Sequence, residues 1–349
     1  MTIIDIARRL SEGAFTRVLS AIDDECREAP EELFERTDES LFPIFETDRE
    51  HGEPASMPLF VGGDGTVIIR SQEPMGRGAT ARVFPGLLIL EQSGDTQGIN
   101  VVVKIVPVTP ENRALCIQVA AEGIVANALS TSQLGHSCSG VVKGYGLVIA
   151  DGWVGAVLER GAPLNRSQGM SVAAIRRIAC DVLESLRALH AAEIVHNDIK
   201  PQNLFVCEDR VKIGDIGALA SSKGEPCCLC ATCKDDSVQL VAEPLRGTPM
   251  FMSLEACCGI STEANDIWSL ALSLFVLSGG DLPFDDLERQ HPEMILRRCR
   301  KNGHNVTVDL DCRELEEPLR GFLEIATTTC CKRPSAESLL KHPLCAGDL

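Results

Sequence analysis

The chain has 349 residues, 44% of them hydrophobic, and carries 50 Asp and Glu against 33 Lys and Arg for a formal net charge of -17. That is enough apolar material for a sizeable core in two domains or in one two-lobed domain, and the acidic balance excludes a surface built chiefly to neutralise nucleic-acid phosphates. No run approaches the roughly 18 apolar residues of a membrane span, and Met1-Thr2-Ile3-Ile4-Asp5 has an acid where a secretory signal carries bases; a cytoplasmic or nuclear protein with its sixteen cysteines reduced is the expectation.

Residues 1–60 read as an acidic, partly helical extension. Up to residue 56 there are fifteen Asp or Glu against six Arg. Ile3, Ile6, Ala7, Leu10, Ala14, Val18 and Ile22 recur at steps of three and four, which predicts one amphipathic helix with Arg8, Arg9, Glu12 and Arg17 mostly off its apolar face. Ala29-Pro30-Glu31-Glu32 has the form of a second helix start. The stripe has two uses: packing on the main domain, or docking a regulatory partner. Phe42-Pro43-Ile44-Phe45 reads as a linear anchor or as an apolar tether to the next lobe.

A β-rich stretch, 61–158, comes next. Gly62-Gly63-Asp64-Gly65 predicts a turn and Thr66-Val67-Ile68-Ile69-Arg70 a strand. Gly76-Arg77-Gly78-Ala79-Thr80-Ala81-Arg82-Val83-Phe84 is a glycine-rich loop, where a missing Cβ lets backbone approach a phosphate; a hairpin turn uses glycines in the same way. In Val101-Val102-Val103-Lys104-Ile105-Val106 a lysine interrupts an apolar strand. If buried, it must find an anion or bear a desolvation cost; on an edge strand it would point to solvent. The helical spacing of Ala114, Ile117, Ala121, Val125 and Leu129 puts Glu122 on a helix eighteen residues after that lysine, among Ala120, Ala121, Gly123 and Ile124. Two further strand-like runs, Gly144–Val148 and Val154–Leu158, precede a polar turn at Glu159-Arg160-Gly161-Ala162-Pro163.

The remainder, 159–349, reads as mainly helical. Ile175, Ile178, Val182, Leu183, Leu186 and Leu189 predict a helix that leads into His196-Asn197-Asp198-Ile199-Lys200-Pro201-Gln202-Asn203, where an acid, an amine and an amide lie within six residues. Lys212-Ile213-Gly214-Asp215-Ile216-Gly217 follows, with Asp215 twelve residues past Asn203. Further on come Gly247-Thr248-Pro249-Met250-Phe251-Met252-Ser253-Leu254-Glu255, Asp266-Ile267-Trp268-Ser269-Leu270, Leu282-Pro283-Phe284, Lys332-Arg333-Pro334-Ser335-Ala336 and Leu340-Lys341-His342-Pro343.

In this order and at these spacings, the segments resemble the landmarks of eukaryotic-type serine/threonine protein kinases. Three positions depart from the pattern: Ala81 for the third loop glycine, Asn197 for the arginine of His-Arg-Asp, and Ile216 for the phenylalanine of the metal-binding motif. The resemblance implies an α+β fold, the bilobal protein-kinase fold, with a β-rich first lobe bearing one key helix, a mainly helical second lobe, and ATP between them. It implies that Gly76 and Gly78 cradle phosphates, that Lys104 holds the α- and β-phosphates and pairs with Glu122, and that Val83, Val102 and Phe205 sandwich adenine. By the same resemblance Leu158 limits the pocket, and backbone groups near Glu159 and Gly161 bond the base. Asp198 would accept the hydroxyl proton, Lys200 would neutralise the moving γ-phosphate, and Thr248 would bond both. Asn203 and Asp215 would hold Mg²⁺, with Mn²⁺ able to stand in. Glu255 would pair with Arg333, and Asp266 would brace the catalytic loop.

The implied function is transfer of the γ-phosphate of Mg-ATP to serine or threonine hydroxyls of protein substrates. A scaffold that binds nucleotide without efficient transfer is the alternative suggested by Ala81, Asn197 and Ile216. A small-molecule kinase fits less well, because Lys200 and the 247–255 platform suit polypeptides. Gln202 stands where basic-directed kinases often carry glutamate, so no strong selection for arginine is expected. The activation segment, 215–255, is long and contains Cys227-Cys228-Leu229-Cys230-Ala231-Thr232-Cys233; only Cys230 and Cys233 have C-x-x-C spacing, which argues against zinc and for reduced thiols or a redox switch. Asn197 cannot give a phosphorylated segment the cation that arginine supplies. Phosphorylation at Ser221, Ser222, Thr232 or Ser237 is therefore not expected to organise the site through this position.

Overall fold

In the computed structural model the described residues are 2–28, 56–61, 65–69, 74–77, 81–92, 95–131, 138–150, 152–164, 169–221, 247–257, 259–282, 310 and 315–346. The expected helix at Ala29, the Phe42 segment, Gly78, the cysteine insert, Ser222, Thr232, Ser237 and Pro283-Phe284 all lie outside them. The chain divides into two compact units, Met1–Gly161 and Ala162–Leu349. The extension belongs to the first unit and does not form one of its own, and the division falls three residues beyond the boundary expected at 158/159.

The extension opens with two helices where the periodicity predicts one: α1 (Ile3–Leu10) and α2 (Glu12–Glu28). Thr2 starts α1 with a reciprocal cap, its hydroxyl accepting from the Asp5 N–H while the Asp5 carboxylate accepts from the Thr2 N–H at 2.7 Å. Those bonds also hold the Asp5 carboxyl below the usual carboxylate range. Ser11 interrupts the run. Its N–H ends α1 on Ala7 O and its carbonyl starts α2 by accepting from Phe15 N, so the stripe continues through a corner. Ile3, Ile6, Ala7, Ala14, Phe15, Val18 and Ile22 are buried, whereas Arg8, Arg9, Glu12 and Arg17 are exposed. Each fully buried aliphatic or aromatic side chain here contributes about 1.5–3 kcal/mol. The stripe is used on the chain's own first unit.

That unit is built on a seven-stranded antiparallel sheet: β1 (Ser56–Val61), β2 (Gly65–Ile69), β3 (Gly76–Arg77), β4 (Arg82–Gln92), β5 (Asp95–Pro107), β6 (Gly144–Ala150) and β7 (Trp153–Glu159). The order is β2-β1-β6-β7-β5-β4-β3, and β2 also pairs with β4, so six of the strands close into a ring. Closure leaves no open edge among those six. Val67, Ile69, Phe84, Leu88, Val101, Val103, Ile105, Val148, Trp153 and Val157 form its core. Helix α3 (Arg113–Ser130) lies against β6 and β7. Gly144 permits that approach, because a Cβ there would come within 2.4 Å of the α3 backbone at Ala126 and Asn127.

In the second unit, α4 (Val172–Ala191) starts at the Ser171 cap and buries Ile175, Ile178, Val182, Leu183, Leu186 and Leu189, as its periodicity predicts. A short strand β8 (Ala162–Pro163) pairs with the hairpin of β10 (Leu204–Cys207) and β11 (Arg210–Ile213), and β9 (Ile194–Val195) pairs with β12 (Ala220–Ser221). The short α5 (Leu254–Cys257) precedes α6 (Glu263–Leu277), whose residues from Asn265 to Leu277 are all buried. Helix α7 (Leu319–Ala326) packs on α6. No helix among the described residues is long and apolar enough to cross a membrane.

Candidate active site

Lys104 sits on β5 between β4 and β7, which rules out an edge-strand lysine facing solvent. Its ammonium lies 2.8 Å from Glu122 Oε2 on α3, a carboxylate whose side chain is 3% exposed. Two charges of opposite sign share one partly dry setting, so each offsets the desolvation of the other. Val83 is the register partner of Lys104, and Val102 is the partner of Leu158. Alternation along β5 places Lys104 and Val102 on one face of the sheet, and their cross-strand partners share it. These apolar side chains are half-buried, while Val101, Val103 and Ile105 on the opposite face are fully buried in the ring core. The sheet therefore presents a lysine-bearing apolar face outside its own core.

Gly76 and Arg77, at the start of the glycine-rich segment, pair antiparallel with Val83 and Arg82 of β4. Ala81, just before β4, is buried. Glu159 turns two groups back on the chain: its N–H donates to Lys143 O at 2.8 Å and its carboxylate accepts from Lys143 N at 3.0 Å. Gly161 closes the first unit.

In the second unit the loop after β9 is drawn together by its own polar groups. Lys200 Nζ donates to Asp198 Oδ2 at 2.8 Å and to Thr248 Oγ1 at 2.6 Å, and the Thr248 hydroxyl donates to Asp198 Oδ1 at 2.7 Å. Asn203 Nδ2 donates to Asp198 Oδ2 at 2.9 Å and to Asp198 O at 2.8 Å. One carboxylate is thus held from both oxygens by a cation, a hydroxyl and an amide. Gly247 makes the approach possible. It has φ +100°, and a Cβ there would lie 2.2 Å from Asn197 O.

The loop backbone is fixed from α6. Asp266, fully buried in the first turn, accepts from His196 N and Asn197 N, both at 2.8 Å, and from His190 Nε2 at 2.9 Å. Seven residues on, Ser273 Oγ donates to Ile199 O at 3.4 Å, and between them Ser269 Oγ donates to Phe251 O at 2.8 Å. Positions 266, 269 and 273 share one helical face. A single stripe of α6 thereby anchors both the catalytic loop and the segment that carries Thr248. Glu255 and Arg333 form a buried ion pair, and the guanidinium also donates to Thr328 O at 2.9 Å and lies over the Trp268 ring at 5.0 Å.

Asn197 adopts φ 66°, a left-handed conformation that asparagine tolerates better than most residues. Its Nδ2 donates to Ala218 O at 3.1 Å, and its Oδ1 accepts from Ser261 Oγ at 2.9 Å. A neutral side chain therefore ties the loop to the stretch just past Asp215 and to the approach to α6. Asp215 is also left-handed, at φ 53°. Its neighbour Gly214 is tied to Asn203, its N–H donating to Asn203 O at 2.8 Å at the open end of the β10–β11 hairpin. An amide oxygen and a carboxylate at the same end of one hairpin are the hard oxygen donors that Mg²⁺ prefers, so the pair fits that ion. Phe205, paired with Pro163 and Lys212, lies on the same hairpin and is half-buried.

The sequence reading missed several positioning residues: His190, Ser261, Ser269 and Ser273. The two α6 serines had a signal, being polar residues at helical spacing from Asp266 in an otherwise apolar helix. Ser261 had none.

The chain is 32% identical over 182 residues to serine/threonine-protein kinase GRIK1 of Arabidopsis thaliana, a match covering half of this chain and 39% of that protein. It is 30% identical over 188 residues to the calcium and calcium/calmodulin-dependent serine/threonine-protein kinase of Lotus japonicus, covering 51% and 31%. With serine/threonine-protein kinase TOS3 of Saccharomyces cerevisiae it shares 36% over 119 residues, covering 32% and 20%. Each match spans well under two thirds of the relative's length. The family profile described as "Protein kinase domain" matches residues 69–345, most of the sequence, and the chain belongs to the protein kinase domain family.

Proposed function

We propose that the protein transfers the γ-phosphate of Mg-ATP to serine or threonine hydroxyls of protein substrates. The observation that carries this reading is the set of bonds around Asp198: its carboxylate is oriented by Lys200, Thr248 and Asn203 rather than neutralised in a structural core. A carboxylate so held is placed to accept the proton of an attacking hydroxyl. Lys200 lies beside it as a cation for charge that builds on the transferring group, and Thr248 keeps the two in register. In the first unit Lys104, aligned by Glu122, is the anchor for the α- and β-phosphates. Val83, Val102 and Leu158 supply apolar contact for adenine from the same sheet face. Asn203 and Asp215 would hold Mg²⁺, which supplies charge neutralisation on the phosphates; Mn²⁺ has the same taste for oxygen donors and would substitute.

The names of the similar proteins support a serine or threonine acceptor. The segment from Thr248 to Glu255, held by Ser269 and by the Glu255–Arg333 pair, is the platform on which a polypeptide would lie. Cys26, Cys116, Cys138, Cys180 and Cys345 are free thiols, which suits a reducing cytoplasmic or nuclear setting. Phosphate transfer from labelled Mg-ATP to a serine/threonine peptide library tests the reading. Transfer by the wild type that is lost in Asp198→Ala is the expected result. Equal transfer by both would overturn it.

A further inference from the structure

Helix α3 is buried on every side in its middle, each residue from Val119 to Ala126 being buried, more than two full turns. A helix packed on a sheet by one face has an open back. This one does not. Gly123 faces the sheet, where an added Cβ would meet Gly146 O at 3.0 Å. At about 3.6 residues per turn, Ala121 and Val125 point the other way, yet both are fully buried. Among the described elements, those packed on α3 are β5, β6 and β7 on the sheet side and α1 and α2 of the extension.

Polar contacts fix α2 in place. Asp23 of α2 accepts from Arg113 Nε, in the first residue of α3, at 2.7 Å, and the guanidinium holds the Asp23 carboxyl below the usual range. Glu25 accepts from Gly152 N at 2.8 Å, at the turn between β6 and β7. The extension is thus tied both to the start of α3 and to the sheet under it. Glu122 lies in the middle of the enclosed stretch, on Lys104.

We propose that residues 2–28 are a built-in brace, a positioning element that holds α3 so that Glu122 stays paired with Lys104 without a partner protein. The inference rests on the kinase reading, since it assigns the pair a task in holding ATP phosphates. The brace works through packing: the stripe from Ile3 to Ile22 covers the back of α3, and loosening it frees the helix to move away from β5. Lys104 then loses its aligning carboxylate while the groups around Asp198 keep their own supports in α6.

The test uses the full chain with Val18→Asp, the milder Val18→Ala, Glu122→Gln, and Val18→Asp combined with Glu122→Gln. Mg-ATP affinity by titration, turnover on a serine/threonine peptide, and segment-resolved amide exchange are measured on each. Val18→Asp is expected to lower kcat/KM for ATP by about 10²-fold, the scale of a misplaced reacting group, and Val18→Ala to act in the same direction by less. The peptide KM should not move. Combining Val18→Asp with Glu122→Gln should add little, because both act on one pair. Exchange should speed up in α3 and stay unchanged in α4 of the second unit. Multiplying effects, a peptide KM that rises alongside that of ATP, or equal loss of protection in α3 and α4 would each reduce the extension to a general stabiliser and overturn the proposal. If the wild type transfers no phosphate, the kinase reading fails on its own, and ATP affinity with α3 exchange still decides the brace.

Discussion

The two units hold their charged groups by different means. Around Asp198 two of the three partners are near in sequence, Lys200 and Asn203 lying two and five residues away and Thr248 fifty, and one face of α6 fixes the loop backbone through a buried carboxylate and Ser273 and the Thr248 segment through Ser269. The Lys104–Glu122 pair joins a strand to a helix eighteen residues on, and that helix is held from behind by a segment about a hundred residues earlier in the chain. One constellation is supported by hydrogen bonds to backbone, the other by apolar packing. Damage should therefore act on proton acceptance and charge stabilisation in the second unit, and on the positioning of ATP in the first.

The largest effect is expected from Asp198→Ala, which removes the proposed proton acceptor. Turnover should fall by about 10²–10⁴-fold, the range for a positioned general base, with nucleotide affinity measured in parallel little changed. Next is Arg333→Ala. It leaves Glu255 buried without its cation, and chemical denaturation of the second unit should show a loss of about 3–5 kcal/mol. Glu122→Gln sharpens the comparison from the first unit. It keeps the side chain's size and removes its charge, and should cost about 10²-fold in kcat/KM for ATP while leaving the peptide KM in place.

The smallest effect concerns pH. Burial lowers the His342 pKa, with Glu317 opposing, and the ring stacks edge-on against Phe322 at 5.5 Å. The folded chain keeps this imidazole neutral, whereas the unfolded chain takes up a proton near about pH 6.5. Its contribution to stability is present above that pH and lost as pH falls through the lowered folded value. Thermal melts at pH 7.5 and 5.5 should show a slightly smaller acid loss for His342→Gln than for the wild type. Cys116 offers a further check on α3. Burial pushes its thiol up to about 12, so alkylation at pH 8 should pass it by in the native protein and reach it when the brace is loosened.

Legibility in the sequence divides along the same line. Side chains packed into one loop can be read directly, because chain neighbours are spatial neighbours, as with Asp198, Lys200 and Asn203; Thr248, fifty residues on, was set beside them by the family resemblance and not by spacing. The extension was harder. Its stripe was plain from Ile3 to Ile22, but the corner at Ser11 was not, since one bond to Ala7 and one from Phe15 suffice to turn the helix without disturbing the periodicity. What the stripe covers could not be read from the stripe itself. The complementary signal lay in the middle of α3, where Val119, Ala120, Ala121, Ile124, Val125 and Ala126 put apolar groups on more than one face and so need a second cover. Strand β1, which closes the ring between β2 and β6, was not read from the sequence; it contains Pro58, and proline has no N–H to give a ladder.

Asn197 is the residue on which the account turns. In place of a cation it offers neutral bonds to Ala218 and Ser261, so the loop is tied to its surroundings before any phosphate is added. The decisive measurement is the initial rate of phosphate transfer by fully dephosphorylated chain, with Mg-ATP and a serine/threonine peptide pool, beside Asp198→Ala treated in the same way. Transfer by the dephosphorylated wild type and its loss in the variant is the predicted result. A wild type that is inactive until phosphorylated at Ser221, Ser222, Thr232 or Ser237, or one no faster than the variant, would contradict the account.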